Sequence, residues 1–479
     1  MNGNLKLKYT MKKILLLSLV YLSLTVDAQF IEAKPPTEFE LKLNNTSNVT
    51  KLMALAAEAK KQKNHEYLQK TMEKVVSIKP NIPELNYQLA EAYALNNKKT
   101  KAFNALIELQ KQGLYFDLGK NINFANIKGY PVFDYIKNNI DVNGQHYGEG
   151  KESFNINKSF SGLLFENIAF DANSQSFLMG SLRDGSIIKI NTNNGNIEPL
   201  ITAAKGGVDG PWAALDLAVD EKNDVLWVAS SAISQFGKMT KATAGMAGIF
   251  KYKLSTGEFI KSYISPASKR PSLISRIHLT NQGKLYLLDT QNKEVLVWES
   301  KTDKISLALS LSQFNDVRSL TTDDKGEMLY LSDNEKGIMV VDMKNQKTYS
   351  IENNEALNLI GITDLNFDDN GLVIIQSGFF PERIMRLELN AEKNAIKNIF
   401  PIESSNPIFD SPSYGVVVGG GFYYIANSQI PKTNMYGGLL KGQQWQDMVI
   451  LSSPKHYKEK DNLDYNEEIN RLKKETGSN

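Results

Sequence analysis

Residues 316–351 read DVRSLTTDDKGEMLYLSDNEKGIMVVDMKNQKTYSI. Four short apolar runs stand out in this stretch: Val317–Thr321, Met328–Ser332, Gly337–Asp342 and Lys347–Ile351. Between them lie Asp324-Lys325-Gly326, Asp333-Asn334-Glu335-Lys336 and Lys344-Asn345-Gln346. Alternating, β-branched runs bounded by Gly, Asn and Asp read as antiparallel strands joined by hairpins. Four such strands in about 40 residues is the size of one propeller blade.

The same grammar recurs on both sides of this stretch. Earlier units are 163–200, 215–231 continued by 247–264, and 275–309; later ones are 362–390 and 413–430 running into 435–452. Asp171, Asp220, Thr280, Asp323 and Asp368 mark equivalent turns, spaced by 49, 60, 43 and 45 residues, which suits single blades with variable loops. Asn193-Asn194-Gly195, Ser255-Thr256-Gly257, Asn281-Gln282-Gly283 and Asp369-Asn370-Gly371 supply positive φ at hairpins. Six units predict an all-β six-bladed propeller over 154–455. The alternatives are a β-sandwich, or a seven-bladed ring that uses 145–159 or the C-terminal segment.

Upstream the period changes. Lys12 and Lys13 precede an 11-residue apolar run, Ile14 to Leu24, and Val26-Asp27-Ala28 follows. This reads as a secretory signal peptide, residues 1–28, cut after Ala28; an 11-residue run is too short to cross a bilayer core of ~30 Å. Residues 29–48, with Pro35-Pro36 and NNTSN, read as an extended or disordered linker. Residues 49–140 carry helical periodicity, with breaks at Lys79-Pro80 and Ile82-Pro83 and Gly113 placed to end a helix. Leu55-Ala56 recurs 34 residues later as Leu89-Ala90, and LAEAYALNNKKTKAF resembles the helix-turn-helix core of tetratricopeptide repeats over about two units. Such a unit presents either a peptide-binding concave face or a structural cap on the next domain. The fold class is therefore α+β multidomain: a small all-α helical repeat domain, then the propeller, then a polar tail at 456–479.

Composition excludes several functions. The chain has no cysteine, hence no disulfide, thiolate chemistry or cysteine-bound zinc. Its four histidines, His65, His146, His278 and His456, show no metal-ligand spacing. A net charge of +2 gives no reason to expect nucleic acid as a partner. After Leu24 no apolar run is long enough to span a membrane, so the mature protein is expected to be periplasmic or secreted.

The repeats resemble the six-bladed propellers of the gluconolactonase and regucalcin group over roughly residues 160–430. FENIAFDANSQSFLMGSLRDGSIIKIN (165–191) is similar to that family's first blade. The phrases DVLWVASS…AGIFKYKLSTGEFIKSYI and MLYLSDNEKGIMVVDMKNQKTYSI are also similar to the yellow and royal-jelly proteins. The resemblance implies a channel holding a divalent cation, usually calcium, that polarises a lactone carbonyl while a carboxylate acts as base. It makes Glu166, five residues before Asp171, the first metal ligand. The pattern then departs. The corresponding position in the fourth unit is Arg318, where the family has Asn; in the fifth it is Thr363, where the family has Asp, with Asp364 one place off. A one-residue slip turns a strand side chain to the other face, so Asp364 would need a bulge to reach the channel. An arginine there opposes a cation by roughly 4 kcal/mol at ~4 Å and moderate dielectric.

The residues expected at the channel mouth are thus Glu166, Asp216, Arg276, Arg318 and Asp364. They can pair with one another as structure, or offer Arg276 and Arg318 to a carboxylate or phosphate, or retain a metal site. The reading is an exported propeller that binds a small anionic ligand or a protein partner without the full metal site; the alternative is a calcium-dependent lactonase or esterase-type hydrolase. Gly419-Gly420-Gly421 reads as a hairpin turn, because no Lys-Ser/Thr follows it. The insertion at 232–248 reads as a lid or as a plain surface loop.

Overall fold

Strand pairing in the computed structural model, which describes residues 37–265, 270–353 and 356–456, gives six sheets, antiparallel but for one short pair, Glu352–Asn353 on Ala395–Ile396. The expected signal peptide, the start of the linker and the tail beyond His456 lie outside the described residues. The opening stretch forms blade 4: Val317–Thr322, Met328–Asp333, Gly337–Asp342 and Lys347–Ser350, paired in sequence order. Blades 1, 2 and 3 are built in the same way over 169–201, 213–265 and 274–310, and blade 5 over 362–404. The second strand of each blade is sandwiched between neighbouring sheets, so it reads as an unbroken apolar run; Leu329 and Leu331 of blade 4 pack with Leu288 and Val295 of blade 3. Outer strands such as Lys304–Ser310 are largely exposed.

Blade 6 is made from both ends of the domain. Gly415–Val418, Gly421–Ile425 and Met448–Pro454 are completed by Lys151–Ile156, with Phe154 opposite Ile450. The 145–159 stretch therefore closes a six-bladed ring and does not start a seventh blade. Tyr147 and Gly148 extend blade 5 by pairing with Ser404 and Glu403. Closing the ring with an early strand leaves no free edge between first and last blades. The Gly419 turn is a hairpin, with Val418 opposite Gly421.

Ahead of the ring come the helices Glu38–Asn44, Val49–Lys61, His65–Ile78, Pro83–Leu95, Lys99–Lys111 and Pro131–Asn143. The first of them falls where an extended linker was expected. Thr37 and Glu40 form a reciprocal capping box, which satisfies amide groups at the helix start and outweighs the polar composition. Pro83 stands at a helix start, where its missing N–H costs nothing. Ala56 and Ala90 are buried where helices meet.

The helices are mounted on the loops of blades 4 and 5. Arg383 in the third strand of blade 5 donates through Nη1 to the carbonyls of Gln112 (3.1 Å) and Gly113 (3.2 Å), past the end of helix Lys99–Lys111. Its Nε donates to Gln376 Oε1 at 2.7 Å. The Tyr115 amide donates to the Phe380 carbonyl, Asn358 donates to the Asn81 carbonyl, and Lys79 pairs with Glu335.

Candidate functional site

Each innermost strand begins with one extra residue. The pairing register slips between Ala214 and Asp216, Ile274 and Arg276, Val317 and Ser319, and Ile362 and Asp364. In blade 1 the bridge Phe165–Ser181 and the pair Ala169–Leu178 enclose three residues against two. In blade 6 the Ser413 amide and the Tyr414 carbonyl both bond Ile425. These bulges set aside Glu166, Leu215, Ser275, Arg318, Thr363 and Ser413. The equivalent ring positions are Asn167, Asp216, Arg276, Ser319, Asp364 and Tyr414.

This register corrects the expected site. Arg318 is the bulged residue of its strand; its side chain is 51% exposed and pairs with Asp316 at 2.7 Å, outside the channel. Ser319 stands in its place. Thr363 is likewise set aside, bonding Ser377, and the bulge brings Asp364 to the ring. Glu166 reaches the centre by its backbone carbonyl and by a carboxylate that accepts from Ser428 Oγ. Of the five expected residues, the structure brings together Glu166, Asp216, Arg276 and Asp364. Asn167, Ser319 and Tyr414 were not anticipated.

Arg276 crosses the channel. Its guanidinium carbon lies 3.0 Å from the ring centroid of Tyr414, which comes from the blade opposite. Nη1 donates to the carbonyls of Leu215 (3.2 Å) and Glu166 (3.4 Å) and lies 3.5 Å from Asp216 Oδ1. One buried side chain thus joins blade 3 to blades 1, 2 and 6. The carboxylates around it are held by amides and hydroxyls. Asp216 accepts from the amides of Leu217 and Ile277, both at 2.9 Å. Asp364 accepts from Ser319 Oγ (2.8 Å), Asn366 Nδ2 (2.9 Å) and the Gly415 amide (3.1 Å).

Every seam between blades carries such a link. Asn167 donates to Ala214 across seam 1–2, and the Ile277 amide donates to Asp216 across 2–3. His278 Nε2 meets Thr322 Oγ1 at 3.0 Å across 3–4. Ser319 and Asp364 join 4–5, the Gly415 amide and Asp364 join 5–6, and Ser428 and Glu166 join 6–1. At each seam polar groups of the channel thus hold neighbouring blades together, which offsets the cost of burying them.

Where the resemblance would place a divalent cation stands the Arg276 guanidinium, and like charges repel at low dielectric. Among the described residues no group of three or more His, Asp or Glu side chains converges as a metal cage. The 232–248 insertion is tied down: Phe236 is buried, the Gly237 amide donates to the Arg183 carbonyl, and Ser234 Oγ donates to the Met435 carbonyl.

No family model and no curated protein matches the chain. Solved structures do. The Malassezia sympodialis allergen Mala s 1 is 13% identical with a TM-score of 0.46, over 64% of this chain and 98% of that one. The PQQ-bound aldose sugar dehydrogenase of Streptomyces coelicolor is 12% identical with a TM-score of 0.42, over 64% and 99%. A luciferin-regenerating enzyme is 8% identical with a TM-score of 0.44, over 64% and 95%. The six-bladed assignment rests on the strand pairing described above.

Burial dominates the titration of the centre. It pushes Glu166 up to about 7, against the opposing pull of Ser428 and Arg276, and Asp216 up to about 6; Asp364 is raised as well. Outside the channel, burial and then the nearby Asp410 place Glu382 at about 7. His278 is pushed down by burial to about 4 and is neutral. The carboxylates bind protons more readily folded than unfolded, so their contribution to stability falls as pH rises through roughly 4 to 7. His278 has the opposite sign between about 4 and 6.5. Four raised carboxylates against one lowered histidine give a net gain on acidification. The urea midpoint is expected to be higher near about pH 5.5 than near about pH 7.5; a lower midpoint at the acidic value would contradict these burial effects.

Proposed function

We propose that this chain is an exported propeller protein that works by binding, engaging a small molecule or a protein partner, with its channel axis held by Arg276 in place of a metal. The observation that carries this reading is the guanidinium stacked on Tyr414 and bonded to two carbonyls and Asp216. Because Arg276 is surrounded by the carboxylates of Asp216, Asp364 and Glu166, and Arg318 lies outside the channel, an anionic group at the channel mouth is less well supported than an uncharged ligand or a protein surface. Export rests on the Lys12-Lys13, apolar run and Ala28 pattern at the N-terminus.

The helical unit is read as tetratricopeptide-like and as a mount for partner contact. Two helix pairs, 49–78 and 83–111, with Ala56 and Ala90 at their contacts support the first point. The Arg383 anchorage supports a cap that stays with the propeller.

The alternative, a divalent-metal-dependent lactonase with Glu166 as ligand, makes a different prediction in one experiment. The mature chain, residues 29–479, is melted with and without millimolar calcium, and again with EDTA. The binding reading expects no shift. A calcium-dependent rise in melting temperature, abolished in Glu166→Gln, would establish a cation site on the native state and return the hydrolase reading to first place.

A further inference from the structure

The arginine layer divides the channel, and a cavity of about 290 Å³ lies on its far side, toward the turns at Asp171, Asp220 and Asp368. The cavity is lined by the residues that follow the ring positions along each inner strand. Two residues beyond the ring, blades 3, 4 and 5 contribute His278, Thr321 and Asn366, whereas blades 6, 1 and 2 contribute Val416, Ala169 and Ala218. One side of the wall can form hydrogen bonds and the other is small and apolar. The closed end is Arg276 with Asp216 and Asp364.

The groups on the polar side are only partly engaged. His278 uses Nε2 on Thr322, and among the described residues Nδ1 has no protein partner. Asn366 lines the cavity and donates to Asp364, and among the described residues its amide oxygen has no protein donor. The charges at the closed end face one another. Arg276 stands among Asp216, Asp364 and Glu166, whose carboxylates disfavour a further anion, and Asp364 already accepts from three donors, so a neutral ligand suits this end best. At about 290 Å³ the cavity stands at the small end of ligand sites, which run from roughly 300 Å³ upward.

We propose that this half of the channel is a binding site for a small uncharged polyhydroxylated ring of monosaccharide size, with its hydroxyl edge on His278, Thr321 and Asn366 and its C–H face on Ala169, Ala218 and Val416. The inference rests on the reading that Arg276 closes the channel, and it names the class of small molecule bound. A neutral His278 fits it, because an uncharged imidazole can donate and accept toward hydroxyls.

Saturation-transfer-difference NMR of the mature chain with D-glucose, D-xylose and myo-inositol tests the site. At least one probe is expected to give saturable binding in the millimolar range. Ala218→Leu, which fills the apolar wall, should abolish it, and His278→Leu should weaken it by about tenfold, the scale of one lost hydrogen bond in a buried site. Val416→Leu repeats the blocking test if Ala218→Leu proves poorly folded. No saturation with any of the three probes, or binding that survives both blocking substitutions, would overturn the proposal. The calcium melt reports separately on the arginine-closed channel, so the two failures are distinguishable.

Discussion

Arg276→Met is expected to destabilise the protein by about 3–5 kcal/mol, the usual cost of removing one partner from a buried ion pair. Methionine keeps much of the aliphatic volume, so the loss comes from the charge and the hydrogen bonds. Asp216 would keep its two amide donors but lose its cation in a site where its side chain is only 15% exposed. The carbonyls of Glu166 and Leu215 would lose their donor, and Tyr414 its stacked guanidinium. For a domain of this size the shift in melting temperature is roughly 5–8 °C. Adding Asp216→Asn should recover part of the loss, because it removes the stranded charge. Arg318→Ala serves as the control: it is exposed and, among the described residues, paired only with Asp316, so its effect should stay within about 0.5 kcal/mol. Equal costs at Arg276 and Arg318, measured by denaturant unfolding, would mean that the bulge register is wrong.

The second large effect is expected at Arg383→Met. This side chain is buried between the two parts of the molecule and holds the carbonyls of Gln112 and Gly113 and the amide oxygen of Gln376. Gln376 in turn donates to the carbonyls of Asn358 and Ile360, so the loss spreads into the approach to blade 5. Three acceptors losing a charged donor amounts to about 3 kcal/mol or more. Most of it should appear as loosened docking of the helices. Ties that remain include the Lys79–Glu335 pair, the contacts at Phe380 and Asn358, and Phe379 packed on the helical core. Limited proteolysis is expected to cut the variant faster near residues 144–150 and to leave a protease-resistant propeller core. Unchanged cleavage there would show that the helices are held by something other than Arg383.

The blades were legible because hairpin grammar is local. Each unit carries its own alternation and its own turn residues, and the turn positions Asp171, Asp220, Thr280, Asp323 and Asp368 keep one register throughout. That register also contained the ring. Counting back four residues from each turn gives Asn167, Asp216, Arg276, Ser319 and Asp364; counting back five from the first, as a metal-ligand spacing suggests, gives Glu166 and hence Arg318 and Thr363. The expected site mixed the two rows. Only the bulge, a property of the pairing, tells which row faces inward. Tyr414 was hidden for another reason: the sixth unit turns on Gly419 and Gly420 and carries no acidic marker.

Contacts between distant parts of the chain were not legible at all. The strand Lys151–Ile156 finds its partner about 300 residues later, and Arg383 meets carbonyls 270 and 271 residues away. Nothing in local composition marks either one. The helix Glu38–Asn44 is a different case, since Thr37 and Glu40 spell a capping box that the neighbouring prolines and asparagines obscured.

The most direct test of the central claim is a crystal structure of the mature chain grown in millimolar calcium, with anomalous diffraction used to locate any bound cation. The expected result is a guanidinium on the channel axis, stacked on Tyr414 and bonded to the carbonyls of Glu166 and Leu215, with no anomalous peak beside it. A calcium ion on the axis, held by Glu166 and Asp364 with Arg276 turned aside, would contradict it.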